Sequence, residues 1–352
     1  MYKTFKIYTL TVLILVCGML NAQTVRKMTV ENGGTGAFKA EIVSDSSLTA
    51  FTIYRPADLP SEPLPVVLYG NGACMNSSVE ARYFLNELAS HGYIVIAIGP
   101  YNEDDFIAHW TGVMTMMHPG SKQVILADGT EVKALTPEEL REYLTRQNAA
   151  REAAQKQAGK KKNKTPEPEP FRTYPRQLLE ALDWLTDQNA NEESEYCGHV
   201  DLDKVAVMGQ SCGGAQAIAV LHDPRISTGI ILNSGMGEMA MQGADHNSLQ
   251  HIRVPMLYVV GGEADMATGN AAKDFESIEK VPVFMVNTVI DGHEGSYYES
   301  HGGKYAVIVN QWLEWQLKGK VGQSAPFLND DAFHSLYEGW TLDRKNCGVY
   351  GE

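Results

Sequence analysis

The segment Gly209-Gln210-Ser211-Cys212-Gly213 places a serine and a cysteine side by side between glycines. Either side chain can act as a nucleophile, so residue type alone does not decide which of them reacts. The apolar run VAVM before the segment predicts a buried strand, and AQAIAVL after it predicts a helix. In such a strand-turn-helix the third residue of the turn is held above the sheet, which favours Ser211 as the nucleophile.

Cys212 occupies a different position in the same turn, at the start of the predicted helix. Backbone N–H groups at a helix N-terminus can stabilise negative charge, whereas the side chain at this position points away from the reacting group. We therefore predict that Cys212 acts through its backbone N–H.

Length and composition exclude several classes of protein. The chain has 352 residues, of which 44% are hydrophobic and 20% are charged, so it can bury a large core and is not disordered throughout. Its net charge of -14 provides no basic surface for nucleic acid. The cysteine spacing does not match a zinc site, and we predict neither a metal nor a cofactor.

The N-terminal residues 1–22 combine two lysines with an apolar run and predict a secretory signal peptide cleaved after Ala22. A lipid anchor on Cys17 is the alternative, disfavoured by the bulky Val16 before it. No later segment is apolar for long enough to span a bilayer. We expect an exported protein, periplasmic or extracellular, in which disulfides persist and the four remaining cysteines allow three pairings.

Hydrophobic patterns along the chain predict an α/β fold. Alternation over 38–56 predicts two antiparallel strands at a sheet edge. Beyond it, short apolar runs alternate with helical stretches, as in a doubly wound, mostly parallel sheet covered on both faces. Strands are predicted at 65–69, 93–98, 204–208, 230–232, 256–260 and 281–287, and helices at 79–91, 174–185, 211–221 and 305–317. The apolar positions expected to dock the last helix on the sheet are Val307, Val309, Trp312, Trp315 and Leu317.

One domain in two parts, 23–101 and 172–320, accounts for most of the pattern, with a tail at 321–352 packed on it. The insertion at 102–171 predicts a hairpin around Asp128-Gly129 and a helix opened by the capping box Thr136-Pro137-Glu138-Glu139. A lysine- and proline-rich run follows this helix. An insertion this long is either a lid over a site or a species-specific addition without a role at the site, and the sequence does not distinguish between the two.

The segments GNGACMNS, ELASHGYIVIAIGP, GQSCGG, GGEADMATGNA and GHEGSYYESHGG resemble the α/β-hydrolase superfamily, and the resemblance covers about 38–317. Within that superfamily they are similar to secreted esterases related to dienelactone hydrolases, chlorophyllases and cutinase-like polyester hydrolases. The resemblance implies an α/β-hydrolase fold in which a nucleophile, an acid and a histidine follow one another along the chain.

In that order the resemblance implies Ser211, Asp265 and His293 as a catalytic triad. The serine attacks an acyl carbonyl, the histidine transfers its proton, and the aspartate orients the imidazole. Glu263 is the alternative acid, although Asp265 better matches the family's spacing. His301 is the alternative base, although His293 lies closer to its strand end.

The resemblance also implies an oxyanion hole formed by two backbone N–H groups, one from Cys212 and one from the loop at 70–74. We assign the second donor to Ala73, because Asn71 and Gly72 stand where many relatives have His-Gly. The chain position of Cys74 and Cys212 beside this site suggests that they pair with each other, which leaves Cys197 to pair with Cys347.

Three residues near the expected site are predicted to contact substrate: Asn71, Gly72 and Met236. Met236, with Met239 and Met241, follows a predicted strand end. Their flexible side chains either shape an acyl pocket or fill gaps in the core, and the sequence leaves both readings open.

The expected function is a secreted serine hydrolase that cleaves carboxylic esters through an acyl-enzyme, with a small-molecule or polymeric ester as substrate. The same triad also serves amidases and peptidases, which are the alternative within hydrolases. A non-catalytic binding protein on the same fold is the alternative from another class, because fold does not determine function.

Overall fold

In the computed structural model, the described residues are 25–125, 131–143, 145, 173–289 and 291–350. The predicted signal peptide at 1–22 and the alternative anchor at Cys17 lie outside these ranges, as do the turn at Asp128-Gly129 and the lysine-rich run. No helix among the described residues is both long and apolar enough to cross a bilayer.

Ten of the twelve described strands form one sheet. The strands are β1 (Val25–Met28), β2 (Ala40–Asp45), β3 (Phe51–Pro56), β4 (Leu64–Gly70), β5 (Ile94–Ile98), β6 (Gln123–Ile125), β7 (Glu131–Lys133), β8 (Val200–Gln210), β9 (Ile226–Leu232), β10 (Met256–Val260), β11 (Val283–Asn287) and β12 (Thr341–Lys345). The large sheet has the order β1-β2-β3-β5-β4-β8-β9-β10-β11-β12, and β6 pairs with β7 separately. The strands from β5 to β11 in that order are parallel, so the fold is α/β with a mostly parallel sheet.

Helices cover both faces of this sheet. They are α1 (Arg82–Ser90), α2 (Glu103–Met117), α3 (Pro175–Ala190), α4 (Cys212–Val220), α5 (His246–Leu249), α6 (Thr268–Ser277), α7 (Gly303–Gln316), α8 (Ala325–Leu328) and α9 (Asp330–Leu336). Side chains of α3, α4 and α6 pack in one core cluster, and those of α1 and α7 pack in a second. Successive residues of β4 alternate between the two clusters, which explains why its sequence is an unbroken apolar run.

The antiparallel pair predicted over 38–56 is confirmed as β2 and β3, but its place at the edge is wrong. β1 pairs with the outer side of β2 and forms the edge. At the other edge, β12 pairs antiparallel with β11. Neither β1 nor β12 was predicted, because their sequences VRKM and TLDRK carry the charges typical of edge strands and lack an apolar run.

The predicted docking helix is confirmed as α7, with one position wrong. Trp312 is fully buried on this helix, whereas Val307 is 52% exposed. The buried stripe runs through Tyr305, Ile308, Val309, Trp312 and Leu313, at the spacing of one helix face. Val307 lies off that face, which is why its apolar character does not predict docking.

The described part of the insertion begins with α2, a helix that the hydrophobic pattern does not predict. β6 and β7 form the two arms of the predicted hairpin. The predicted capping box is present, since the Thr136 N–H donates to Glu139 Oε2 at 2.7 Å and the Glu139 N–H donates to Thr136 Oγ1 at 3.2 Å. Trp110 of α2 packs against Met75 and Val79, next to the loop that follows β4.

The packing of α7 yields a stability prediction. The Trp312 ring lies 5.2 Å from those of Phe284 and Phe327, between centroids, and its Nε1 donates to Thr228 Oγ1 at 3.0 Å. Trp312→Ala is expected to lower the free energy of unfolding by about 3–5 kcal/mol, because it leaves a cavity and removes the hydrogen bond to Thr228. Val307→Ala on the same helix is expected to change it by less than about 0.5 kcal/mol. Urea denaturation of both variants checks this, and equal losses would contradict the assigned burial.

Candidate active site

Ser211 lies at the turn between β8 and α4, in a strained backbone conformation with φ 50° and ψ -115°. The flanking glycines permit the turn by their lack of side chains. A Cβ on Gly209 would lie 2.2 Å from the carbonyl oxygen of Gly213, and a Cβ on Gly213 would lie 2.0 Å from that of Gly70. The Ser211 N–H donates to Leu232 O at 2.9 Å, which ties the turn to β9. The backbone therefore presents the serine as the glycine pattern predicts.

Three of the predicted residues come together at this turn. Ser211 Oγ lies 2.9 Å from His293 Nε2, and His293 Nδ1 lies 2.7 Å from Asp265 Oδ1. An ionised carboxylate only accepts hydrogen bonds, so Nδ1 carries the proton and Nε2 can accept the serine proton. Asp265 follows β10 and His293 follows β11, so the carboxyl ends of adjacent parallel strands bring the side chains together.

The surroundings of Asp265 favour its ionised form. Burial alone would raise the pKa of this carboxyl, but the hydrogen bonds from His293, the Ala267 and Gly261 N–H groups and Asn233 outweigh burial and hold the pKa below its usual value. The bond to Asp265 in turn raises the pKa of His293 above its ordinary value, against the opposing effect of burial. The carboxylate thus stabilises a proton on the imidazole.

Asn233, which no sequence motif identifies, joins the loops that carry Asp265 and His293. It is fully buried directly after β9, and its Nδ2 lies 2.9 Å from Asp265 Oδ2, 2.9 Å from Gly292 O and 3.0 Å from Tyr305 Oη. Tyr297 Oη donates to its Oδ1. The sequence signal for Asn233 is its position as a polar residue directly after the apolar run GIIL, at the carboxyl edge of the sheet.

The two residues predicted as oxyanion donors lie on segments joined by a disulfide. Cys212 is the first residue of α4, and Ala73, with φ 52°, lies in the short turn Gly72–Cys74 after β4. Cys74 and Cys212 are bonded, with their Cα atoms 5.2 Å apart, so the predicted pairing of these two residues is confirmed. The bond fastens the turn after β4 to the start of α4.

The predicted pairing of Cys197 with Cys347 is wrong, because both residues are free. Cys197 precedes β8, and Cys347 follows β12, which lies four strand positions away in the sheet. Four strand spacings amount to about 19 Å. A disulfide requires Cα atoms within roughly 7 Å, so the sheet keeps these two cysteines apart.

Two of the three residues predicted to contact substrate have side chains that are buried within the protein. Asn71 is 3% exposed, and its Nδ2 donates to Met75 O at 3.0 Å and Ile98 O at 2.6 Å, so its side chain supports the loop. Met236 is fully buried in the core, which leaves the gap-filling reading of this methionine. Gly72 lies beneath the side chain of Gln210, whose Oε1 would be 1.9 Å from a Cβ on this glycine.

The alternative acid and base lie elsewhere. Glu263 is exposed, whereas Asp265 is buried against the imidazole. His301 Nδ1 lies 3.3 Å from Glu87 Oε2 and 3.4 Å from Glu31 Oε2, in a cluster beside α1. The contacts of the described residues therefore favour Asp265 and His293 over both alternatives.

No protein-family model matches the chain, and no curated protein matches it. Among the described residues, no three histidine, cysteine, aspartate or glutamate side chains are grouped so that they could hold a metal ion. The chemistry of the site is therefore inferred from its geometry.

The coupling of His293 to Asp265 predicts a measurable titration. The pKa of His293 is expected above the ordinary 6.5, and Asp265→Asn is expected to lower it by removing the hydrogen bond to a charged acceptor. NMR titration of the imidazole checks this, with the resonance assigned by its loss in His293→Gln. Glu263→Gln is the matched control and should leave the pKa unchanged. A lowered pKa in the control and an unchanged one in Asp265→Asn would reverse the assignment of the acid.

Proposed function

We propose that the chain is an exported serine hydrolase of the α/β-hydrolase fold that cleaves carboxylic esters through an acyl-enzyme. The observation that carries the proposal is the chain of contacts from Ser211 Oγ to His293 Nε2 at 2.9 Å and from His293 Nδ1 to Asp265 Oδ1 at 2.7 Å. The strained turn that holds the serine between a strand and a helix supports the same conclusion.

The fold proposal rests on where these residues follow the strands. The nucleophile follows β8, the acid follows β10 and the histidine follows β11, so they keep the chain order serine, aspartate, histidine. Export is supported by the signal-like N-terminus and by the disulfide, since disulfides persist in oxidising compartments.

In the first half-reaction, Ser211 Oγ attacks the carbonyl carbon of the ester while His293 Nε2 takes the hydroxyl proton. The resulting tetrahedral oxyanion accepts hydrogen bonds from the backbone N–H groups of Cys212 and Ala73. The carbon–oxygen bond to the alcohol then breaks, and His293 donates its proton to the departing oxygen. The alcohol leaves, and the acyl group remains on the serine.

In the second half-reaction, water replaces the alcohol. His293 takes a proton from the water as it attacks the acyl carbon, and then returns the proton to Ser211 Oγ as the carboxylic acid departs. The buried Asp265 carboxylate stabilises the imidazolium in both halves. Because this carboxylate raises the pKa of His293, the enzyme is expected to lose activity as the pH falls through that raised value.

The nucleophile assignment is tested by substitution. Ser211→Ala removes the attacking oxygen and is expected to lower kcat for p-nitrophenyl ester hydrolysis by about 10⁴-fold or more. Ser227→Ala is the matched control, because Ser227 lies near the start of β9, at the opposite edge of the sheet from the site, and its hydroxyl donates to Asp203 O of β8. The control should keep full activity. A Ser211→Ala variant as active as the wild type would end the proposal.

The disulfide should support catalysis by holding the two oxyanion donors together. Replacing both Cys74 and Cys212 with serine is expected to lower kcat by about 10- to 100-fold, because small displacements of catalytic groups are costly. Steady-state kinetics check this, with Cys197→Ser and Cys347→Ser as controls that remove only free thiols. Unchanged kcat in the double variant would show that the bond does not position the site.

A further inference from the structure

Gln210 lies directly before the nucleophile. Its side chain contacts the loop that follows β11 and carries His293, the histidine loop. Gln210 ends β8 and is 8% exposed. Its Nε2 donates to the backbone carbonyl of His293 at 3.0 Å, across a sequence separation of 83 residues. The strand that carries the serine is thereby tied to the backbone of the residue that takes the serine proton.

The other end of the same amide touches the loop after β4. Gln210 Oε1 occupies the space above Gly72 that a side chain would otherwise fill, 1.9 Å from an ideal Cβ. Gly72 directly precedes Ala73, the predicted second oxyanion donor. One side chain therefore lies between the oxyanion loop and the histidine loop and contacts both.

The orientation of the amide follows from these neighbours. A carbonyl oxygen only accepts hydrogen bonds, so the end that faces His293 O must be the NH₂ group. The Oε1 end then faces Gly72. Neither leucine nor methionine can replace this donor, and a glutamate of the same shape would place a carboxylate oxygen against the carbonyl.

The histidine loop has two other attachments near its reactive residue, and both reach different strands. The Gly292 N–H donates to Gly261 O at 2.9 Å, after β10, and Gly292 O accepts from Asn233 at 2.9 Å, after β9. Among the described contacts of this loop's backbone, the Gln210 bond is the one that reaches β8, the strand of the nucleophile. This hydrogen bond therefore fixes the position of His293 relative to Ser211 directly.

We propose that Gln210 is a positioning residue that holds the His293 loop and the Gly72–Cys74 loop in register with Ser211. The inference rests on the proposed hydrolase function. In this role Gln210 transfers no proton and binds no substrate. It keeps the imidazole within reach of the serine hydroxyl and fixes the loop that carries Ala73.

Gln210→Met tests the proposal, because methionine keeps the length and packing of the side chain and removes the donor. We expect kcat for p-nitrophenyl ester hydrolysis by the full chain to fall about 10- to 100-fold, with KM within about twofold of the wild type. Gln250→Leu is the matched control, since it removes a glutamine amide bonded to a backbone carbonyl, Ser277 O. Gln250 precedes β10 and Ser277 precedes β11, whereas the site lies beyond the carboxyl ends of these strands. The control should keep kcat, and thermal melts should show both variants folded.

Gln210→Glu provides a second readout, which reports whether the side chain at this position lies beside the imidazole. The added carboxylate would lie beside His293, whose pKa is already raised by Asp265 and Glu294. We expect the acid limb of kcat/KM to shift to higher pH in Gln210→Glu and to stay in place in Gln210→Met. A carboxylate also lacks the donor to His293 O, so we expect kcat to fall in Gln210→Glu as well, which keeps the proposal testable if Gln210→Met folds poorly.

Several outcomes would overturn the inference. Unchanged kcat in Gln210→Met would show that the bond to His293 O does not position the base. A raised KM with unchanged kcat would instead make Gln210 a substrate contact. An acid limb that does not move in Gln210→Glu would place its side chain away from the imidazole. Ser211→Ala assayed in parallel separates these results from failure of the proposed function, since only the latter leaves Ser211→Ala active.

Discussion

The site depends on a close approach between two backbone segments at the carboxyl edge of the sheet. Gly213 of α4 lies so near the end of β4 that a Cβ on it would meet the Gly70 carbonyl oxygen at 2.0 Å. This contact sets the start of α4 against the turn after β4, where Ala73 lies. It also brings Cys212 within bonding distance of Cys74. Any larger residue at these glycines would separate the nucleophile turn from the loop proposed to complete the oxyanion hole.

A second constraint is electrostatic and lies on the other side of the serine. Asp265 is buried, yet four donors face it: the imidazole, two backbone N–H groups and Asn233. These donors offset the cost of burying an ionised carboxylate and orient it towards His293. Because Asn233 also bonds to Gly292 O, the same side chain fixes the loop that carries His293. The hydrogen bonds of Asn233 therefore help to fix both the position of the His293 loop and the carboxylate that faces its imidazole.

The sequence predicted the parts of the fold whose signals are local. The apolar runs of β4, β5 and β10 and the glycines around Ser211 each follow from a few neighbouring residues, as does the capping box at Thr136. β1 and β12 could not be found in this way, because a charged edge strand exists only through its pairing with β2 or β11. Long-range contacts are also beyond what the sequence pattern predicts. The side chain of Asn71 reaches Ile98 O on a neighbouring strand, and the distance between Cys197 and Cys347 depends on strand order.

The proposed mechanism requires Ser211, activated by His293, to take up the acyl group of the substrate. Mass spectrometry of peptides from protein acid-quenched during turnover of a p-nitrophenyl ester detects that acyl group. An acyl adduct is expected on the peptide that contains Ser211, localised to that serine by fragmentation and formed far more slowly in His293→Gln. An adduct on a different side chain, or one that forms equally fast in His293→Gln, would contradict the proposed mechanism.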